Sequence, residues 1–394
     1  MPNNKKLNIA IVCDPITDCT AGSFVSAQRF AKLLKAKGHK IILLAARYPR
    51  HNGQPSEYYE KMKVYRFWSV LLPKTESQFR LAFPAKHQLV NIFRTEKIDI
   101  LYNIVPTPAT IVATQAAKKI GGIKIAFHSH TQPENVLLTL PKIIANPLMI
   151  KLFYRYLYWL YSQADAVIYP TEFAKKFFPR LSKKLKTAVI SNGVDTGKFK
   201  PLPADKFFSK FKLKRGGQNI LFVGRLHPEK SIDTLIKACP KIIKQFPQAR
   251  LWIGGGGYLE DALRGLAKKL KAEKSIVFFG RLNVSDLVLA YNACDIFVLP
   301  SLAELEGMVV LEAMACGKPL VIADSSASAS PYLVNNNGLL FKPRDAADLA
   351  SKILRLLQDD NLRARYARAS LTLSREYDIN TSTDKLEALF YSLL

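Results

Sequence analysis

The sequence predicts an α/β protein of two doubly wound domains facing a central cleft. Three observations predict it. Short apolar runs alternate with helical stretches along the first part of the chain, the same alternation restarts at Asn219, and 394 residues suit two domains of about 200 each.

The first element is the apolar run 7–13, Leu-Asn-Ile-Ala-Ile-Val-Cys, which reads as a strand. A small-residue loop, Thr20-Ala21-Gly22-Ser23, leads into a helical pattern over 25–37 that stops at Gly38. Apolar runs at 40–45, 98–103 and 124–128, with a helix over 108–120, continue the alternation and make a parallel sheet the economical arrangement. From Asn219 the pattern predicts strands at 219–223, 249–253, 275–279, 296–300 and 319–323. Helices are predicted at 231–246, 258–271, 284–293 and 307–316. Pro201 and Pro203 stiffen the stretch between, so the linker is placed near 197–206. The expected domains are therefore 1–200 and 207–375. Helical stretches follow at 345–358 and 361–394, and the segment 376–394 is a candidate to pack back on the first domain. In open parallel sheets ligands sit at the carboxyl ends of strands, so function is sought in those loops.

Composition narrows the classes. With 58 Lys and Arg against 31 Asp and Glu the formal net charge is +27, which favours an anionic partner: lipid, nucleic acid or a solvated surface with no single partner. No stretch approaches the roughly 18 uninterrupted apolar residues of a membrane span, and the start carries no signal-type apolar region, so a cytoplasmic protein is expected. Cys13, Cys19, Cys239, Cys294 and Cys316 are odd in number and scattered, which argues against a disulfide framework or a zinc site. Asp359-Asp360 at a late helix end reads as solvated surface and not as a metal-binding pair. No recognisable nucleic-acid-binding module accompanies the charge, so no nucleic-acid partner is expected.

The most specific segment runs Pro300-Ser301-Leu302-Ala303-Glu304-Leu305-Glu306-Gly307-Met308-Val309-Val310-Leu311-Glu312. Glu304 falls in the loop after a strand and Glu312 on the helix that follows, so the two acids can meet opposite ends of one ligand. Between them the helix start at Gly307, Met308 and Val309 offers unpaired N–H groups and a positive dipole end to a phosphate or to sugar hydroxyls. Read from the residues alone, Glu304 is either a ligand contact or a solvated side chain, and Glu306 is a helix cap. A second segment, Gly224-Arg225-Leu226-His227-Pro228-Glu229-Lys230, follows a strand. Gly224 lets backbone approach closely, and Arg225 with Lys230 supplies two cations suited to a diphosphate.

These segments resemble motifs of the family 4 retaining glycosyltransferases, whose fold is the two-domain GT-B arrangement of Rossmann-like halves. The first resembles that family's E-x7-E motif, and the second its G-R-L-x-x-E-K-G segment. The resemblance implies that Glu304 contacts the transferring sugar and Glu312 the nucleotide ribose, while Arg225 and Lys230 hold the donor diphosphate. No metal or other cofactor is then required, since preplaced cations take up the charge of the leaving group. One departure is that Glu306 stands where most members carry an aromatic residue, within a stretch assigned to donor binding. Phe278-Phe279-Gly280-Arg281-Leu282 is similar to the stretch whose backbone reads the base, which assigns Arg281 and Leu282 to the donor, and Gly22 is assigned to its phosphates. His128-Ser129-His130-Thr131-Gln132-Pro133-Glu134 is similar to the H-T-x-x-E stretch of glycolipid-forming members, which aligns His130 with the histidine facing the donor sugar. Ile253-Gly254-Gly255-Gly256-Gly257 lacks the spacing of a dinucleotide site and reads as a tight turn. Ser325 to Tyr332 lacks the family's G-G-x-P-E pattern.

Between residues 137 and 186 apolar, aromatic and basic side chains are interleaved. Lys142, Lys151, Tyr154, Arg155, Trp159, Lys175 and Lys176 suit the headgroup layer of an anionic bilayer, although 154–161 is equally readable as a helix packed on the sheet. Monoglucosyldiacylglycerol synthases and phospholipid mannosyltransferases resemble the chain here. The expectation is therefore transfer of a hexose, glucose from UDP-glucose, to a membrane lipid such as diacylglycerol at the inner face of the cell membrane. A soluble or polysaccharide acceptor is the alternative within the same fold.

Overall fold

A computed structural model describes residues 5–16, 22–49, 54–72, 79–133, 147–181 and 183–394. Cys19, Thr20, Ala21, Glu134 and Lys142, with the rest of 141–144, lie outside the described residues. The chain divides into two compact units: one runs to Asn192 and takes in Ile379–Leu394, and the other is Gly193–Asp378.

The first unit is built on the strands β1 (Asn8–Val12), β2 (Lys40–Ala46), β3 (Ser56–Tyr59), β4 (Met62–Phe67), β7 (Ile100–Asn103), β8 (Lys124–His128), β9 (Ala166–Tyr169) and β10 (Lys186–Val189). Their order is β10-β9-β8-β7-β1-β2-β4-β3, parallel except for the edge strand β3. Val12 pairs with Asn103 and β1 also pairs with β2, so the strand order reverses at the carboxyl ends of β1 and β7. That is where an open sheet leaves a crevice. The central strands are almost wholly apolar because helices cover both faces. The helix Pro108–Ile120 opens with a proline, whose missing N–H costs nothing at a first turn, and ends at Gly121 with φ +76°. Two short strands, β5 (Ser69–Leu71) and β6 (Arg80–Ala82), form a separate antiparallel ribbon.

The second unit holds β11 (Asn219–Val223), β12 (Arg250–Gly254), β13 (Ile276–Gly280), β14 (Ile296–Leu299), β15 (Leu320–Ala323) and β16 (Gly338–Phe341). They form one parallel sheet in the order β13-β12-β11-β14-β15-β16, which reverses between β11 and β14. Helices Ile232–Gln245 and Ala346–Gln358 carry apolar stripes that pack on each other and on the sheet. Asp345 caps the latter by accepting from the amides of Ala347 and Asp348. Asp359 does the same for the helix Asp360–Ser374 through the Leu362 amide, and Asp360 pairs with Arg363, so this acidic pair is spent on helix ends.

Two expectations need correction. The stretch 197–206 does not lie between the units: Phe199 and Phe207 are buried in the core of the second unit, and Asp205–Lys210 is a short helix. Prolines stiffen the backbone there, but the phenylalanines anchor it. The final helical stretch is also not continuous. It breaks after Arg375–Tyr377, where Asp378 turns extended and bridges to Val194, and a new helix, Ile379–Tyr391, joins the first unit. That helix packs on Gly22–Ala36 and buries Ile379, Leu386, Leu389 and Phe390. His39 locks it. Its Nδ1 accepts from the Leu7 amide at 3.1 Å, which leaves Nε2 to donate to Glu387 at 2.8 Å, while Lys37 reaches the other Glu387 oxygen at 2.7 Å.

Candidate active site

In the second unit, backbone hydrogen bonds tie the loops at the carboxyl ends of β11, β12 and β13. The Gly224 amide donates to the Gly254 carbonyl at 2.9 Å, Leu226 to Gly256 at 2.9 Å, and Gly255 to Gly280 at 2.7 Å. This closeness requires glycine. A Cβ at Gly255, where φ is +139°, would lie 1.9 Å from the Gly224 carbonyl oxygen, and one at Gly257 would lie 2.5 Å from that of Leu226. The glycine-rich turn thus seats the β11 loop. Arg281 is exposed at the end of β13, and Leu282 is half-buried against the core, its Cδ1 filling the space a side chain at Gly254 would need.

The β11 loop is tied in turn to the loop after β14. The Glu229 carbonyl accepts from the Leu302 amide at 2.7 Å and from the Ser301 hydroxyl at 3.2 Å. Across this junction the Lys230 ammonium meets the Glu304 carboxylate, both side chains largely shielded from water. Arg225 extends into solvent and donates to Glu229 at 3.2 Å. Glu304 is held by its own backbone, which bridges to Ser328 and accepts from the Ala329 amide at 2.8 Å.

Gly307 caps the helix Met308–Ala315 in the left-handed conformation, φ +92°, where a Cβ would fall 2.5 Å from the Ser330 hydroxyl. Met308 and Val309 occupy the first turn, and Glu306 immediately before it is buried. Glu312 is buried one turn further on and accepts from the Tyr291 hydroxyl at 3.2 Å, which also faces the Val309 carbonyl at 3.2 Å. Sequence reasoning missed Tyr291. Its only signal is an aromatic on the helix preceding β14, a position that reads as core. The structure therefore brings Lys230 against Glu304, with Arg225 on the same loop as Lys230. Glu306, Gly307, Met308, Val309 and Glu312 follow on the next loop and helix.

In the first unit, Gly22 is the first residue of a helix, Gly22–Ala36, and not part of a loop. At the end of β8, His128 is buried and its Nδ1 lies 2.6 Å from the Tyr102 hydroxyl, while the His130 ring stacks 3.9 Å away. The Nε2 atoms of both histidines are enclosed with no partner among the described residues. Burial pushes His130 down to about 3 and His128 well below its ordinary value, with His130 adding to the effect on His128. Both rings are therefore neutral at physiological pH, which suits His130 to hydrogen bonding in preference to proton transfer.

Asp14, also unflagged by sequence reasoning, lies buried just past β1. The Thr107 hydroxyl and Ala82 amide are near, but neither carboxylate oxygen has a closed hydrogen bond among the described residues. Burial raises it to about 7, outweighing those two neighbours. Asn103, at the end of the adjacent β7, is buried and likewise without a side-chain partner among the described residues.

The basic and aromatic stretch is a helix, Pro147–Tyr161, that buries Leu157, Leu160 and Tyr161. Its other face exposes Leu148, Leu152 and Trp159 together with Lys151 and Arg155. Tyr154 departs from expectation, because it packs on Phe177 and Phe178 with ring centroids 5.7 and 5.9 Å away. Lys175 pairs with Glu172 at 3.6 Å, and Lys176 is exposed. Among the described residues no helix is long and apolar enough to cross a membrane, and no group of three or more His, Cys, Asp or Glu is placed to hold a metal ion.

Two Rossmann-like units, one carrying spaced glutamates around a helix start and a basic loop, define the GT-B class of nucleotide-sugar-dependent hexosyltransferases. Comparison with known proteins agrees. Residues 20–198 match the model of Glycosyltransferase Family 4, and residues 204–371 that of Glycosyl transferases group 1. The chain is 30% identical to the phosphatidyl-myo-inositol mannosyltransferase of Mycolicibacterium smegmatis over 94% of its own length and 90% of that protein's. It is 24% identical to the alpha-monoglucosyldiacylglycerol synthase of Streptococcus pneumoniae over 84% of its length and 73% of that protein's. Among solved structures, HepE of Anabaena in complex with UDP-glucose superposes with a TM-score of 0.77 at 20% identity, covering 98% of this chain and 100% of that one. The chain belongs to the family 4 glycosyltransferases.

Proposed function

We propose that this glycosyltransferase works with retention of configuration and moves glucose from UDP-glucose to a lipid acceptor such as diacylglycerol at an anionic membrane surface on the cytoplasmic side. The observation that carries the donor half is the meeting of Lys230 and Glu304 beside the start of the helix Met308–Ala315. A departing nucleoside diphosphate gathers negative charge. Arg225, Lys230 and the free N–H groups at Gly307, Met308 and Val309 stabilise that charge more in the transition state than in the bound donor. Glu304, released from Lys230 when the donor phosphates take the cation, accepts from sugar hydroxyls; in the first unit, neutral His130 is a hydrogen-bonding contact suited to a sugar. Glu312, held by Tyr291, binds the ribose, and Arg281 and Leu282 border the base. With two cations and a helix start in place the reaction needs no metal, so turnover that persists in excess chelator is expected.

Two of the relatives above carry lipid glycosylation in their names, which supports a lipid acceptor, and the UDP-glucose complex of HepE supports the donor. The exposed Leu148, Lys151, Leu152, Arg155 and Trp159 give the first unit a face fitted to an anionic bilayer. Purified protein is to be given labelled UDP-glucose, with and without diacylglycerol vesicles, and the anomeric configuration of the product read by NMR. The expected result is a lipid-dependent α-glucoside. Removing both cations, Arg225→Ala with Lys230→Ala, lowers kcat by about 100-fold or more. Undiminished turnover in that variant overturns the donor assignment. Consumption accelerated by saccharides and not by lipids overturns the acceptor. A thermal-shift comparison of UDP- and GDP-sugars identifies the donor, because a bound donor raises Tm by mass action.

A further inference from the structure

The first unit carries a second amphiphilic surface, distinct in sequence from the helix Pro147–Tyr161. The ribbon of β5 and β6 projects large apolar side chains into solvent: Trp68 is 64% exposed, Leu71 46%, Val70 45%, Phe83 41% and Leu72 37%. Trp68 and Phe83 lie side by side with ring centroids 5.6 Å apart, and Phe83 closes onto the Trp68 carbonyl through its amide at 2.9 Å. A ribbon this short buries little of its own apolar surface, and clustered exposure of this kind marks an interaction site more often than isolated exposed residues do.

Beside the ribbon is a cavity of about 200 Å³ lined by Arg47, Tyr48, Pro49, Trp68, Ser69 and Arg80. Both guanidinium groups are positioned by uncharged partners. Arg80 donates to the Ser69 hydroxyl and carbonyl, each at 2.9 Å, and lies 5.9 Å from the centre of the Tyr48 ring, while Arg47 donates to the Arg66 carbonyl at 3.2 Å. Among the described residues no carboxylate pairs with either. Glu57, on β3, is engaged by Arg66. The Arg47 Nε is enclosed without a partner among the described residues. Two oriented, uncompensated cations next to exposed tryptophan, phenylalanine and leucine match the layered chemistry of an anionic bilayer, with phosphate above and acyl chain below.

We propose that the β5–β6 ribbon docks on an anionic membrane, Trp68, Val70, Leu71, Leu72 and Phe83 entering the headgroup and acyl boundary while Arg47 and Arg80 take lipid phosphates. The proposal rests on the lipid-acceptor reading above and adds the surface that reaches the lipid. The test is flotation of the full-length protein with phosphatidylcholine vesicles, with and without phosphatidylglycerol, together with tryptophan emission. Trp252 is buried, so Trp68 and Trp159 are the reporters. Anionic vesicles are expected to shift the emission to the blue, and Trp68→Phe to remove the share of that shift that Trp159 does not report. Val70→Asp with Leu71→Asp lowers vesicle binding about tenfold or more, and Arg47→Gln with Arg80→Gln weakens binding to the phosphatidylglycerol vesicles and flattens its salt dependence. These side chains are solvent-facing or at a cavity rim, so an unchanged Tm shift with UDP-glucose serves as the folding control. If wild type floats and all three variants float equally well, the ribbon is not the docking surface although the membrane reading stands. If wild type does not float, the membrane reading itself falls. A Trp68 shift that appears with protein concentration in the absence of lipid assigns the ribbon to a second copy of the chain and overturns the proposal.

Discussion

Tyr291 and Glu312 show how one buried hydroxyl can orient a carboxylate. The phenol is fully buried, and burial together with the neighbouring Glu312 raises its pKa well above the ordinary value, so it remains a donor at every working pH. If Glu312 binds the ribose as proposed, Tyr291→Phe is expected to raise the KM for the nucleotide sugar about three- to tenfold with kcat nearly unchanged, because the ribose does not react. Steady-state kinetics checks this. Asp14 and His130 have opposite signatures in pH. Asp14 is raised to about 7 from 3.8, so the fold binds its proton more tightly, and its burial costs increasing stability as pH rises through that window. His130 is lowered to about 3 from 6.5, so stability is lost as pH falls from 6.5 towards 3. Asp14→Asn should therefore gain stability over wild type that grows between about pH 4 and pH 7 and levels off above, reaching about 4 kcal/mol, whereas His130→Gln should gain most at the acid end. Urea melts at the two ends compare them, and parallel curves for the two variants would refute the assignment.

At the scale of elements, the sheet ends depend on backbone approaching backbone. The β12 loop seats the β11 loop that carries Arg225 and Lys230, and Gly255 is the point of nearest contact. Gly255→Ala places a methyl 1.9 Å from a carbonyl oxygen at φ +139°, so neither a rotamer change nor a small shift relieves it. The expected cost is about 3 kcal/mol or more, a fall in Tm of about 6–12 °C for a unit of this size. Calorimetry reads the first quantity, and a change under 1 °C would show that the loop is not held as described. Gly224 differs, since a Cβ there meets only the Phe222 ring at 3.0 Å. Glycines that look alike in sequence thus separate into positions pressed against backbone, which cannot give, and a position pressed against a side chain, which can.

For the whole molecule, the first unit is completed by residues nearly 350 positions from the elements they touch, as the Lys37–Glu387 and His39–Glu387 contacts show. Leu386 is fully buried in that core, and Leu386→Ala should cost about 2–5 kcal/mol. Limited proteolysis should then cut first within the residues before Asn192, while the second unit, with its own core, resists. Preferential cleavage within 193–378 would contradict this. Charge also belongs to this scale: the formal surplus is +27, and on the membrane reading proposed above binding should weaken as salt rises.

Much of the second unit was legible because its strands are apolar, short and separated by helices of clear period. The expected 219–223 and 284–293 coincide with the observed elements, and most other bounds there differ by a residue or two. The glutamates and cations were legible as well, since Glu304, Glu312, Arg225 and Lys230 occupy loop and helix-start positions that local spacing defines. By itself the sequence determined two α/β halves, a parallel sheet in each, and the placement of two glutamates and two cations on loops and a helix at the ends of the second sheet. Only tertiary structure decided the rest. β3 and β4 form a hairpin turned at Glu60-Lys61, two non-glycine residues in the left-handed conformation that carry no turn signal in the sequence, and β4 finds its place only by pairing with β2. Tyr291 and Asp14 gain their character from burial, which residue type does not encode. The last helix belongs to the first unit because its apolar stripe finds a matching face there, and complementarity between distant segments is a property of the assembled fold, not of either segment alone.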